Sequence, residues 1–147
     1  MMMKPYKRRV QYYETDMMGV THHANYIHWM EEARIDFMDQ LGFPYAAMEQ
    51  KGVLSPVKGI QCEYRRACTF GDEITVLVRV EDFNGVVMKI GYEMTNAAGE
   101  TLFAASSEHV FLNREGRFVR LKKEMPDFCR AIEAVLEKPK KDAEEKD

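Results

Sequence analysis

The chain has 147 residues, with 21 Lys and Arg against 24 Asp and Glu, so its formal net charge is -3. This length suits one domain, and a hydrophobic share of 46% can form a core, which excludes a disordered protein. The mild acidity argues against a nucleic-acid-binding domain. Three cysteines without a C-x-x-C pair favour reduced thiols, and no apolar run approaches the ~20 residues of a membrane helix. We therefore expect a cytoplasmic protein with neither nucleic acid nor membrane as a partner.

Hydrophobic periodicity predicts a strand, a loop and a long helix in the first part of the chain. Residues 6–13 alternate in polarity, which is typical of a strand. Apolar residues at spacings of three and four then predict a helix over about 24–41. Asn25 or a neighbouring polar residue would cap the start of this helix, and Gly42 followed by Pro44 would end it.

After the helix the hydrophobic period changes to two, which predicts an antiparallel meander. Strands are expected over 57–64, 74–80, 88–94 and 101–112, with a short edge strand over 117–121. The pair Asn84-Gly85 predicts a tight hairpin between two of them. Pro126 would open a second helix, because its missing N–H costs nothing at that position.

This order of elements predicts an α+β fold in which a curved antiparallel sheet of about five strands wraps around the long helix. We assign residues 1–137 to a single domain and the highly charged residues 138–147 to a flexible tail. One helix cannot cover both faces of a sheet, and open strand edges invite pairing. A homodimer or homotetramer is therefore expected.

Residues 12–26 form the most unusual segment, since they combine an acid, a glycine bend, two histidines and a helix start. The segment fits the pattern D-x-x-G-V-x-x-H-x-x-Y through Asp16, Gly19, Val20, His23 and Tyr26. In this pattern the chain resembles the hotdog-fold acyl-CoA thioesterases of the 4-hydroxybenzoyl-CoA thioesterase and YbgC-like type. The likeness continues downstream to about residue 121, and the predicted order of elements is also the hotdog order.

The resemblance implies hydrolysis of an acyl-CoA or acyl-carrier-protein thioester, without a metal or redox cofactor. It implies that Asp16 is the catalytic carboxylate, either as a nucleophile or as a general base. It also implies that the backbone N–H of His23 stabilises the oxyanion, while the His23 side chain orients the acid or the carbonyl. A helix N-terminus suits this task, because its backbone N–H groups are unpaired and its dipole end is positive.

Further residues are expected to contact the substrate. Gly19, Val20, Tyr26 and Glu31 are the candidates near the thioester, with core packing as the favoured interpretation of Tyr26. Glu31 is the alternative base, and a buried ion pair with an arginine is its favoured, structural interpretation. Basic residues that could meet the phosphates of coenzyme A are Arg65, Arg66, Lys89 and Arg114.

Some alternatives stay open at this point. The adjacent histidines His22 and His23 should point in different directions, and no further ligand completes a metal site around them. The bulky Met17 and Met18 depart from the small residues common in the family, so the acyl group could be aromatic, short or long. Two other functions remain possible for such a fold, namely a hydratase or dehydratase and a non-catalytic acyl-CoA-binding protein.

Overall fold

The computed structural model describes residues 3–137, in which five antiparallel strands form one sheet in the order β1-β3-β4-β5-β2. The strands are β1 (Tyr6–Arg9), β2 (Val57–Tyr64), β3 (Glu73–Phe83), β4 (Val87–Thr95) and β5 (Thr101–Val110). The helices are α1 (Ala24–Leu41), α2 (Tyr45–Gln50), α3 (Leu121–Glu124) and α4 (Pro126–Val135). The expected tail, residues 138–147, lies outside the described residues.

The core lies between α1 and one face of the sheet. Helix α1 buries its apolar side, with Trp29 at its centre, and ends at Gly42, whose φ of 94° is the left-handed conformation that glycine accepts without strain. Every second residue of β4 is buried beneath this helix: Met88, Ile90, Tyr92 and Met94. The long helix, its glycine end and the alternating strands are all as predicted.

Two local expectations were wrong, and one short helix was missed. Strand β1 ends at Arg9, because the Glu14 carboxylate accepts the N–H of Gln11 and folds 12–14 into one 3₁₀ turn. The N–H of Ala24 donates to Nδ1 of His22, so a polar neighbour of Asn25 caps the start of α1, which is one of the two alternatives expected. Helix α2 was not predicted. Residues 117–121 make only an isolated bridge, and α3 begins at their end.

The two edges of the sheet differ. Strand β2 has one neighbour, β5, along its full length, and its other side is open within the described residues. At the opposite edge, β1 covers only the first part of β3. Beyond β1, Leu136 bridges to Val80, and the N–H of Glu137 donates to the Val80 carbonyl at 2.9 Å. Among helices within residues 3–137, none combines the length and hydropathy that a membrane span requires.

Candidate active site

The acid of the motif sits on a tight turn that follows the first strand. Thr15 and Thr21 pair across this turn as an isolated bridge. Between them, the N–H of Gly19 donates to the carbonyl of Asp16, and the N–H of Asp16 donates to the carbonyl of Val20, both at 2.9 Å. Gly19 has a φ of 79°, so the bend needs a residue without a side chain, as the sequence predicted.

The Asp16 carboxylate is half-buried and only partly engaged. Its Oδ1 accepts the N–H of Met18 at 2.8 Å, which tightens the turn. Its Oδ2 accepts no hydrogen bond from any residue in the described range 3–137. Met17 and Met18 beside it are exposed, so the turn presents one unpaired carboxylate oxygen next to two flexible apolar side chains.

The tip of α1 carries an unpaired backbone donor. The N–H of Ala24 donates to Nδ1 of His22 at 3.1 Å, and the N–H of Asn25 donates to the carbonyl of His22 at 3.0 Å. The N–H of His23 has no acceptor among the residues described. Because it stands at the positive end of an 18-residue helix, this N–H can donate to an oxygen that develops negative charge.

Glu14 holds the turn and the helix together. Its buried carboxylate accepts the indole N–H of Trp29 at 2.9 Å through Oε2 and pairs with Arg8 at 2.6 Å through Oε1. Its carbonyl accepts the N–H of His22 at 2.8 Å and the side-chain amide of Asn25 at 2.9 Å. One residue therefore fixes the segment before Asp16 to the first turn of α1. Sequence reasoning missed this role, since Glu14 looks like an ordinary polar residue.

Further contacts connect the tip of α1 and the segment before it to strand β2 and to the loop that follows β2. The N–H of Thr21 donates to the carbonyl of Cys68 at 2.8 Å, and the Cys68 thiol lies 3.3 Å from the hydroxyl of Tyr26. The hydroxyl of Tyr64 on β2 donates to the carbonyl of His23 at 2.9 Å. Tyr26 is 4% exposed, and burial and the thiol raise its pKa, so its surroundings are those of a packing residue.

The other predicted residues are spread along α1 and over the surface. The rings of His22 and His23 stack with centroids 4.4 Å apart, so the expectation that they point in different directions was wrong. Val20 is half-buried directly after the Gly19 turn. Glu31 lies two turns beyond the helix tip and forms the expected ion pair with Arg34, but its side chain is 53% exposed, so the expectation that the pair is buried was wrong.

The four basic residues proposed for coenzyme A are not brought together. Each contacts an acid or a carbonyl: Arg65 with Glu63, Arg66 with Glu100, Lys89 with Glu81 and Arg114 with the carbonyl of Glu49. Arg65 and Lys89 share a depression of about 610 Å³ on the face of the sheet away from α1. Arg114 lines a separate groove beside α2.

A buried polar network beneath α1 was also missed. It joins Arg34 of α1 through His109 and Ser107 of β5 to Tyr92 of β4. Alternation along β5 does place Ser107 and His109 on the inward face with Phe103, so part of the signal is present in the sequence. Their partner on the helix cannot be read from that pattern.

The comparisons with known proteins agree with this architecture. The model of the thioesterase-like superfamily matches residues 10–136. The chain belongs to this superfamily. A Bacillus subtilis relative, YneP, which carries a provisional designation as an acyl-CoA thioesterase, is 41% identical over 84% of the chain and 91% of its own length. The acyl-CoA thioesterase YbgC of Haemophilus influenzae is 31% identical over 54% of the chain and 60% of its own length.

A solved structure gives the same result at the level of the fold. The DHNA-CoA thioesterase of Staphylococcus aureus superposes with a TM-score of 0.86 at 32% identity, covering 90% of this chain and 89% of that one. The predicted hotdog α+β fold and the predicted thioester hydrolase class are therefore confirmed.

Proposed function

We propose that this superfamily member hydrolyses acyl-CoA thioesters to a free acid and CoA, with Asp16 and the backbone N–H of His23 as its catalytic groups. One observation carries the proposal. Among residues 3–137, one Asp16 oxygen accepts no hydrogen bond and the His23 N–H has no acceptor, and Glu14 connects the turn that carries the first to the helix tip that carries the second. A carboxylate and an oxyanion donor are the two groups that acyl transfer from a thioester requires.

The reaction follows from these two groups. The thioester carbonyl oxygen accepts the N–H of His23, and either Asp16 itself or a water deprotonated by Asp16 attacks the carbonyl carbon. Negative charge then develops on the oxygen at the positive end of α1, which stabilises it. The C–S bond then breaks and CoA leaves as a thiolate. In the general-base route the attacking water has already supplied the oxygen of the acid, and the proton that Asp16 took from it passes to the thiolate. In the direct-attack route an aspartyl mixed anhydride is hydrolysed last.

In this proposal the remaining predicted residues shape the site or contact the substrate. Gly19 permits the bend and Val20 follows it, so both shape the surface that meets the thioester. The exposed imidazole of His23 would orient the carbonyl. Tyr26 supports the helix tip from below, and Glu31 contacts the acyl group further along α1. Arg65 and Lys89, which share one depression, are better placed than Arg66 or Arg114 to bind a common phosphate.

The role of Asp16 is tested with Asp16→Asn, because the asparagine oxygen can still accept the N–H of Met18 and so preserve the turn. We expect kcat on a panel of acyl-CoAs to fall by about 100-fold or more, measured as thiol release. Asp72→Asn is the matched control, since Asp72 also accepts a backbone N–H within a turn, from Thr69 at 2.8 Å. Equal turnover in the wild type and Asp16→Asn would remove Asp16 from the mechanism.

The backbone donor can be tested by comparing His23→Pro with His23→Ala. Proline lacks the N–H, and the φ of -57° at His23 is one that proline adopts. Alanine removes the imidazole but keeps the N–H. We expect kcat in the proline variant to be about 100-fold or more below that of the alanine variant. Equal rates in two folded variants would show that this N–H does not stabilise the oxyanion.

The two routes for Asp16 differ in where oxygen from water ends up. After many turnovers in ¹⁸O-water, mass spectrometry of the peptide containing Asp16 would detect heavy oxygen in its carboxylate if the mixed anhydride is hydrolysed at the aspartyl carbon. Such labelling would identify Asp16 as the nucleophile. The same panel addresses the alternatives, since a hydratase changes the acyl chain and leaves the thioester intact.

We also propose that two copies associate along β2. This strand has an open edge and carries exposed apolar side chains, Val57, Ile60 and Tyr64. Ile27 and Ile35 of α1 add exposed apolar surface. Such an edge is commonly covered by another strand. Ile60→Lys should lower the mass measured by light scattering from that of a dimer or tetramer to that of a monomer, and an unchanged mass would argue against this interface.

A further inference from the structure

The buried network beneath α1 has no part in the proposed hydrolysis. The Nη1 atom of Arg34 lies 3.2 Å from Nδ1 of His109, and Nε2 of His109 lies 2.7 Å from Oγ of Ser107. The Ser107 oxygen lies 2.8 Å from the hydroxyl of Tyr92. None of the four side chains belongs to a residue more than 5% exposed. The positions of their hydrogens therefore matter, because water does not compete freely for these groups.

Arginine fixes the direction of the hydrogen bonds. A guanidinium can only donate, so Nδ1 of His109 must accept from Arg34. Burial and the charge of Arg34 lower the pKa of His109 to about 3, which keeps the imidazole neutral near pH 7. A neutral ring that accepts at Nδ1 carries its hydrogen on Nε2. His109 therefore donates to the Ser107 oxygen.

One hydroxyl hydrogen is left over at the end of this network. Ser107 and Tyr92 bring two O–H hydrogens, but they share a single hydrogen bond, and His109 has no lone pair left to accept another. Whichever hydroxyl donates in that bond, the hydrogen of the other has no acceptor within residues 3–137. A buried donor without an acceptor is costly, so this site is suited to an incoming oxygen atom.

The two hydroxyl-bearing residues line a small cavity between α1 and the sheet. Its volume is about 30 Å³, and its apolar walls are Ile27, Met30, Val57 and Ile60. Met30 follows His23 by seven residues, which is about 10 Å along a helix. Strand β2 runs beside the same stretch, since Tyr64 contacts the helix tip while Ile60 lines the cavity. An acyl group held at His23 can reach this cavity by extending along α1.

We infer that this cavity receives the far part of the acyl group and that the surplus O–H of Ser107 and Tyr92 selects a substrate with an oxygen there. The substrate class is an acyl thioester with a hydroxyl, oxo or ether oxygen about 10 Å from the thioester carbonyl. This inference rests on the proposed hydrolysis. It adds two specificity-determining residues to the site, on strands that carry none of the catalytic groups.

The test uses saturated acyl-CoAs and counterparts in which one methylene is replaced by an ether oxygen at successive positions. An ether oxygen is close in size to a methylene and can only accept, so it probes the hydrogen-bond donors that line the cavity, which include Arg34 as well as the surplus O–H. The variants of Tyr92 and Ser107 separate the hydroxyl contribution from that of Arg34. We expect kcat/KM of the wild type to rise about 10-fold for oxygen at one chain position and to stay level elsewhere. Tyr92→Phe leaves the surplus hydrogen on Ser107, and Ser107→Ala leaves it on Tyr92, so in at least one of the two variants the favoured chain position should change.

Tyr45→Phe is the matched control. Its hydroxyl also contacts Arg34, but on the side of the groove beside α2 and not in the small cavity, so the ether advantage should be unchanged. If the wild type hydrolyses every saturated chain as fast as its ether counterparts, a water molecule satisfies the surplus hydrogen and the inference is wrong. An ether advantage that persists unaltered in both network variants would also overturn it. Absence of thiol release from all substrates would refute the hydrolysis itself.

Discussion

Replacing Glu14 by glutamine tests whether one buried carboxylate organises the site. The wild-type carboxylate accepts from Arg8 and Gln11 through Oε1 and from Trp29 through Oε2. Glutamine offers one oxygen and one NH₂ group, so in either orientation a donor faces a donor. The Glu14 side chain is 5% exposed and that of Arg8 is 11% exposed, which places the pair among buried ion pairs.

Breaking such a pair costs about 3–5 kcal/mol, and the lower end applies because Arg8 keeps a second partner in Glu32 at 3.1 Å. For a domain of this size, a loss of about 3 kcal/mol corresponds to a fall in Tm of about 6–12 °C. Urea unfolding at a fixed protein concentration measures the free energy directly.

Glu32→Gln is the control for this experiment. It changes the other acid on the same arginine, but that side chain is 41% exposed, so the expected loss is below about 1 kcal/mol. The reasoning fails if Glu14→Gln unfolds within about 0.5 kcal/mol of the wild type, or if the two variants lose the same amount.

Two other predictions concern stability. The pKa of His109 in the folded protein, about 3, lies below its value of about 6.5 in the unfolded chain. As pH falls below about 6.5, only the unfolded chain takes up this proton, so the folded state becomes less stable. The free energy of unfolding should fall by about 2 kcal/mol between pH 6.5 and 5. His109→Gln should flatten this part of a stability profile measured by urea unfolding, and parallel profiles would contradict it. Gly42→Ala should cost about 1 kcal/mol in the same assay, because alanine resists a φ of 94° even though its Cβ would meet no atom within 4 Å. Gly59→Ala is its control, because Gly59 lies in β2 without a left-handed φ, although the register with β5 shifts there, and equal losses would show that the helix end is not responsible.

Much of the fold could be predicted because its signals are local. Helix α1 has an apolar stripe and a glycine end, and β2 has the bounds that alternation indicates. The Gly19 bend was predictable for the same reason. The 3₁₀ turn after β1 was not, because it depends on Glu14 reaching Gln11 within the turn and Trp29 on the helix.

The candidate site was only partly predictable, since its acid and its donor lie in one short segment and their supports do not. Tyr64 reaches the carbonyl of His23 from 41 residues away, and Arg34 meets His109 across 75 residues. A pattern of period two can assign a face to Ser107 or His109, but it cannot say which helical residue stands opposite. The role of the basic residues in binding phosphate stays a prediction, and the acids that pair with Arg65 and Arg66 could not be assigned from the sequence.

The edge of β3 that faces away from β4 has a consequence for how the chain acquires its structure during synthesis. The first part of this edge pairs with β1, which leaves the ribosome before β3. The part at Val80 pairs with Leu136 and Glu137, which are synthesised much later. Until those residues emerge, a nascent chain with all five strands leaves the Val80 carbonyl without the N–H of Glu137. This part of the sheet edge is therefore completed only after α4 has been made.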